Sequence, residues 1–208
     1  MNKRVFWIIG VLVLVSSRPS LSEEASKEAK SADEVVSTLR KYHLPVHHVP
    51  TKDLTVKALA GQYSNGATFL FVAGNELYLL HDATYIYTKW ADIIPETVCD
   101  KGTWSVKDGS LILKSDGSVP DGEKPRDQVY WPLLLESSAQ VRLMGHRDFS
   151  SFVANKPPKN EGNATVRFMQ YNFSQRRKLS KVAQEEKRKE LMTGARKPDF
   201  SKDEPAKR

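Results

Sequence analysis

Three of the five histidines of the chain lie within ten residues, in the stretch KYHLPVHHVP from 41 to 50. Imidazole is a common ligand of zinc and copper, so His43, His47 and His48 are candidates for a metal site. Pro45 ends any helix between them, which removes the i, i+4 geometry that would place His43 and His47 on one face. No Asp, Glu or Cys within the stretch completes a ligand set. We therefore predict a proline-containing linker without a metal, and a zinc or copper site stays open as the alternative.

The sequence contains no local motif for catalysis or for a cofactor. Hydrolysis by serine or cysteine needs a nucleophile beside a base. The chain has no G-x-S-x-G elbow, and its only cysteine, Cys99, lies in VCDKG without a motif. Two carboxylates brought together by folding would suffice for a hydrolase, and 25 acidic residues leave that alternative open. No nucleotide, flavin or haem motif occurs, so we predict no cofactor.

Aromatic side chains on neighbouring predicted strands are the candidates for ligand binding. Tyr85 and Tyr87 fall on one face of their strand, and Tyr63, Tyr78 and Trp104 lie on strands close by. In a barrel with an unfilled interior such rings would line an apolar cavity for a small ligand. In a filled barrel they would only pack the core, and the sequence leaves both interpretations open.

These aromatic residues belong to a series of short apolar segments, separated by turn residues, between 58 and 173. The strongest hairpin signal is Lys107-Asp108-Gly109, between GTWSV and SLILK. Further strands are predicted over 58–63, 67–73, 76–81, 82–90, 128–136, 140–144, 148–154 and 163–173. The pattern predicts an all-β domain, either an antiparallel meandering β-barrel or a two-sheet sandwich of eight to nine strands.

The N-terminus has the pattern of a secretory signal peptide. A basic start, MNKR, is followed by an apolar run over 5–15 and then by small polar residues, so we predict cleavage after Ser22. Residues 23–57 are predicted to hold a helix starting at Ser31, where S-A-D-E matches a capping box, and the histidine-containing linker. We expect a secreted or periplasmic protein without stable membrane insertion.

The positive charge of the chain is concentrated at its C-terminus. The formal net charge is +7, but residues 175–208 alone carry twelve basic and six acidic side chains. Residues 174–208 are predicted to form a basic helix and a disordered tail. Because the β-domain itself is close to charge balance and the basic helix has no aromatic residues, we predict no binding to nucleic acid.

Two segments of the β-domain resemble those of a known class of proteins. Gly61-Gln62-Tyr63, and the step from GTWSV at 102–106 through Asp108-Gly109 into LIL at 111–113, are similar to small secreted bacterial lipocalin-like β-proteins, many of unassigned function. The resemblance covers about residues 58–155. We therefore expect a non-catalytic binding protein whose ligand is an envelope protein, a cell-wall polymer or a small apolar molecule. A hydrolase with a site assembled only in the tertiary structure is the alternative.

Overall fold

A computed structural model describes residues 31–65, 73–119, 122–136, 138–155 and 161–193 of the 208-residue chain. Its strands are β1 (Val46–His48), β2 (Gly61–Asn65), β3 (Ala73–Leu79), β4 (Thr84–Ala91), β5 (Ile94–Lys107), β6 (Ser110–Ser115), β7 (Val129–Leu135), β8 (Ser138–Gly145) and β9 (Phe173–Arg177). From β2 to β9 each strand pairs antiparallel with the next, and β9 pairs with β2. The result is a closed eight-stranded barrel, to which β1 adds a ninth strand by pairing with β7. The predicted all-β class is confirmed, with the barrel as its architecture.

The hairpin between β5 and β6 shows how local sequence fixes the register of the barrel. Lys107 pairs with Ser110, so the turn has two residues. Those residues, Asp108 and Gly109, have φ values of 49° and 77°. A two-residue turn of this hand requires positive φ at both positions, which Asp-Gly tolerates well. The hairpin predicted from the sequence is therefore confirmed.

Five helices of the described chain precede, connect or follow the strands of the barrel. They are α1 (Ala32–Lys41), α2 (Val56–Leu59), α3 (His146–Ala154), α4 (Glu161–Met169) and α5 (Lys181–Thr193), with a 3-10 turn at Thr51–Asp53. The predicted N-cap of the first helix is confirmed, because the Ser31 hydroxyl accepts a hydrogen bond from the backbone N–H of Glu34 at 3.3 Å. None of the helices described here is long and apolar enough to cross a bilayer.

The interior of the barrel is a packed apolar core. Strand alternation points one set of side chains inward, and all of the following are buried: Val49, Leu59, Ala60, Tyr63, Leu77, Leu79, Tyr85, Tyr87, Trp104, Leu111, Leu113, Tyr130, Val141, Leu143 and Phe173. Six of these fifteen side chains are Tyr, Trp or Phe, which fill much more volume than aliphatic residues.

Two further apolar clusters attach the helices to the outer face of the barrel. In one, α1, α3 and α4 pack against β7 and β8 through side chains such as Leu39, Phe152 and Phe168. In the other, Leu179 and Leu191 cover Tyr78, Leu80 and Ile86. Where a helix covers the sheet, the strands therefore carry apolar residues on both faces, and the usual alternation of apolar and polar residues is lost.

The structure corrects two predicted strands. Residues 148–154 lie in α3 and most of 163–173 lies in α4. The apolar residues of these segments follow helical spacing, since Phe149 and Phe152 are three apart and Ala164 and Phe168 are four apart, and all four are buried in one cluster. In these two segments the helical spacing of the apolar residues, and not their alternation, therefore indicates the correct secondary structure.

The end of the barrel also differs from the boundary predicted at 173. β9 runs to Arg177, so its last four residues lie in the segment predicted as the start of the basic helix, and α5 begins only at Lys181. The predicted signal peptide, most of the strand predicted at 67–73 and residues 194–208 fall outside the described residues.

Candidate functional site

A groove of about 500 Å³ lies on the outside of the barrel, between the segment that precedes β2 and the segment that joins β9 to α5. Ala60 and Leu179 line it and are buried, so they form an apolar floor. Lys52, Lys57 and Lys178 line it as exposed side chains. The remaining lining residues are Asp53, Thr55, Ala58, His81 and Ser180. We call this surface the basic groove.

Short structural elements hold the two walls of the basic groove in place. The 3-10 turn carries Lys52, and α2, which carries Lys57, is capped by the Thr55 hydroxyl accepting from the Ala58 N–H at 3.2 Å. On the other wall, β9 ends where Arg177 pairs with β2, so Lys178 follows immediately after the closure of the barrel. The lysines therefore come from segments more than a hundred residues apart.

The charges of the basic groove do not cancel. In the described part of the chain, Lys52, Lys57 and Lys178 form no ion pair, and Asp53 is the only acidic residue that lines the groove. α5 begins directly after Ser180 and has no acidic residue in its first turn, which adds to the positive potential there. The groove is therefore suited to a negatively charged ligand.

A smaller pocket of about 320 Å³ adjoins the basic groove at His81. Its cation Arg188 is already engaged, since its Nη2 lies 2.5 Å from Asp82 Oδ2 and 2.8 Å from Thr84 Oγ1. The backbone N–H of His81 donates to Gln184 Oε1 at 2.7 Å. This pocket thus fastens α5 to the turn between β3 and β4 and leaves little unpaired charge.

Four of the five predicted aromatic residues lie together inside the barrel. The Tyr63 hydroxyl donates to Leu59 O at 2.7 Å, and Trp104 Nε1 donates to Leu80 O at 3.1 Å. Tyr85 and Tyr87 belong to the same packed core. The Tyr85 hydroxyl donates to Asp100 Oδ2 at 2.6 Å, and all four rings are buried in the interior core.

Burial also removes the inner tyrosines from acid–base chemistry. It raises the pKa of Tyr63, Tyr85 and Tyr87 well above the ordinary value of 10.0. Their hydroxyls therefore stay protonated throughout the range in which the protein would work. These three tyrosines therefore serve as core residues of the barrel.

The fifth residue, Tyr78, lies on the opposite face of the sheet. Its hydroxyl donates to Glu96 Oε1 at 2.7 Å, and its ring lies beneath Lys187 of α5. The structure therefore does not bring the five predicted residues into one site.

The three clustered histidines are directed to different partners. His47 Nε2 lies 2.6 Å from Glu136 Oε1, whereas His48 Nε2 lies 2.9 Å from Asp33 Oδ1. His43 follows α1 with a φ of 60°. No group of three or more His, Cys, Asp or Glu side chains is placed to hold a metal ion anywhere in the described ranges.

A pair of buried carboxylates lies at the N-terminus of α3. Asp127 accepts from the backbone N–H groups of Arg147 at 2.8 Å and Asp148 at 3.4 Å. A Cβ at Gly145 would lie 2.1 Å from Asp127 Oδ2, so this close approach requires glycine. Asp148 forms an ion pair with Arg126 at 3.0 Å. Both carboxylates are thus engaged in holding the loop before β7 against α3, which is a structural role.

The lysines of the basic groove were not among the binding residues predicted from the sequence. Lys52 and Lys57 lie in a segment interpreted as a linker, and Lys178 lies in the predicted basic tail. The only sequence feature that pointed to an anion-binding surface was the excess of basic residues in the C-terminal segment. That excess does not show which part of the barrel the segment contacts. No family model, curated protein or solved structure matches this chain.

Proposed function

We propose that the protein is a non-catalytic binding protein that holds a negatively charged polymer of the cell-wall type in the basic groove. The observation that carries this proposal is the convergence of Lys52, Lys57 and Lys178 on one groove with a single carboxylate, Asp53. Like charges brought together on an exposed surface repel one another, and an anionic ligand removes that cost.

The chemistry of lysine favours a polymer over a small ligand of fixed shape. An ammonium group on a flexible stem is a point charge without the planar fork of arginine, so it recognises the density of negative charge more than its geometry. Phosphodiester and carboxylate repeats both supply such density. The apolar floor formed by Ala60 and Leu179 gives room for the uncharged backbone of the polymer.

The packed interior of the barrel argues against a small apolar molecule as the ligand. A small apolar ligand needs an unfilled cavity, whereas Tyr63, Tyr85, Tyr87 and Trp104 pack against one another and their neighbours inside the barrel. The predicted signal peptide agrees with this proposal, because an exported protein meets anionic polymers in the envelope.

A charge-matched pair of triple variants tests the proposal. K52Q/K57Q/K178Q removes the positive rim, while K41Q/K107Q/K114Q removes three exposed lysines elsewhere. Isothermal titration of the full chain with defined poly(glycerol phosphate), and separately with polyglutamate, gives the affinity of each variant. Contacts between exposed charges are worth about 0.5 to 1 kcal/mol each, so the groove variant should bind roughly 10- to 100-fold more weakly.

The control variant should bind within about twofold of the natural protein, and added salt should weaken binding, because the Debye length falls with ionic strength. Equal loss of affinity in both triple variants would show that net charge alone drives the binding. Absence of measurable binding to both polymers would refute the proposed function.

A further inference from the structure

The outer face of β8 carries a buried cation, Arg142, that has no acidic partner among the described residues. Arg142 is 6% exposed, and no described carboxylate lies within ion-pair distance of it. Its Nη1 donates to Asn172 Oδ1 at 3.2 Å, and its Nε is buried without a hydrogen-bond partner. Proteins nearly always pair a buried guanidinium with an anion, since an unpaired buried charge is strongly unfavourable.

The neighbours of Arg142 increase the positive charge of this region. Arg142 is paired with Ser174 across β8 and β9, and Arg176, the extra residue of a β-bulge in β9, lies two residues beyond Ser174. Burial, and then the positive charge of Arg176, lower the pKa of Arg142 from its ordinary value. Strand pairing therefore places two guanidinium groups near one another.

The side chain of Asn172 is fixed in an orientation that does not neutralise this charge. Asn172 is 1% exposed, and its Nδ2 donates to Phe168 O at 2.5 Å. Its Oδ1 is thereby directed at Arg142 and accepts one N–H. A neutral amide accepts one hydrogen bond but leaves the positive charge uncompensated, and the buried Nε–H of the guanidinium has no acceptor among the described residues.

We propose that Arg142, supported by Arg176, forms a binding site for an oxyanion, namely a carboxylate or phosphate group of a small ligand. The planar guanidinium matches the two oxygens of either group through parallel N–H donors. The site uses none of the residues of the basic groove, so it is independent of the proposed polymer binding.

The variants R142K and R142M separate the charge from the geometry of this site. R142K keeps a cation but loses the fork, and R142M keeps an apolar stem of similar length without a charge. R147Q removes an exposed arginine nearby and serves as the control. Isothermal titration of the full chain with inorganic phosphate, and in a second arm with acetate, is performed at constant ionic strength held with sodium chloride.

The natural protein and R147Q should show saturable binding of one anion per chain, and the arm with the tighter binding identifies the class of oxyanion. R142K should bind about tenfold more weakly or worse, because a charge-assisted bidentate contact is lost. R142M should not bind, and in the absence of anion its urea midpoint should equal or exceed that of the natural protein. Anion binding that is unchanged in R142K, or no saturable binding of either anion by the natural protein, would overturn the proposal.

Discussion

Replacing Lys187 with methionine tests how α5 is held on the barrel. Lys187 is 8% exposed, and its Nζ lies 2.7 Å from Glu96 Oε2 and 5.4 Å from the centre of the Tyr78 ring. Glu96 Oε1 accepts from the hydroxyls of Tyr78 and Thr88, both at 2.7 Å. Burial alone would raise the pKa of Glu96, but hydrogen bonds from Lys187 and Thr88 and the charge of Lys187 hold it below its ordinary value. Glu96 is therefore ionised at neutral pH and depends on Lys187 for its countercharge.

The expected loss follows from the contacts of the ammonium group. A hydrogen bond between charged groups contributes about 1.5 to 3 kcal/mol, and the contact with the Tyr78 ring adds about 0.5 to 1 kcal/mol. Methionine keeps the apolar contacts of the lysine stem. We therefore expect K187M to lower the free energy of unfolding by about 2 to 4 kcal/mol.

Urea unfolding at pH 7 measures this loss, and a double-mutant cycle with E96Q isolates the pair. E96Q/K187M should recover part of the loss, with a coupling energy of about 1 to 3 kcal/mol, because the buried carboxylate no longer lacks a countercharge. K189M changes an exposed lysine of the same helix and should stay within about 0.5 kcal/mol of the natural protein.

The coupling should also depend on pH in a defined direction. Because the folded-state pKa of Glu96 lies below its ordinary value of 4.5, the stabilisation is present above that pH and is lost as the pH falls through the folded-state pKa. Additive effects of E96Q and K187M at pH 7, or a K187M variant as stable as K189M, would refute the role assigned to Lys187.

Three other substitutions test the core of the barrel, the carboxylate at the N-terminus of α3 and the close packing of β5 against β6. Trp104 is 2% exposed, so W104A should lower the free energy of unfolding by about 3 to 5 kcal/mol in urea, and a loss below about 1 kcal/mol would contradict its place in the core. Burial, and then the charge of Asp127, raise the pKa of Asp148 to about 6; stability should therefore fall as the pH rises from 3.8 through 6, and D148N should flatten that slope in urea titrations. A Cβ at Gly102 would lie 2.0 Å from the backbone oxygen of Lys114, so G102A should lower the thermal midpoint, whereas G162A, with no atom within 4 Å of the new Cβ, should not.

The features that local residues determine were predictable from the sequence. The S-x-x-E pattern at Ser31 predicts the start of α1, and Asp108-Gly109 predicts the turn between β5 and β6, because each motif satisfies its own backbone geometry. The number and spacing of the apolar segments predict the all-β class, since successive antiparallel strands need only short connections.

The features that depend on distant contacts were not predictable. The segments of α3 and α4 contain enough β-branched and aromatic residues to suggest strands, and their helical form depends on the apolar surface that Trp131 and Met144 present on the barrel. The placement of Tyr78 beneath α5 depends on the same kind of contact. Lys178 lies in the same groove as Lys52 because β9 pairs with β2, and no motif in either strand predicts that pairing.

The pairing of β9 with β2 also has a consequence for how the chain folds. Gln62 and Arg177, whose side chains hydrogen-bond across this pairing, are 115 residues apart in sequence, whereas β2 to β8 form from neighbouring segments. Closing so long a loop costs more chain entropy than forming the hairpins, so we expect barrel closure to be the slow step and the C-terminal strand to add last. Until β9 pairs, the edge of β2 exposes unpaired backbone N–H and C=O groups to which a strand of another chain can add, so slow closure of the barrel favours misassembly.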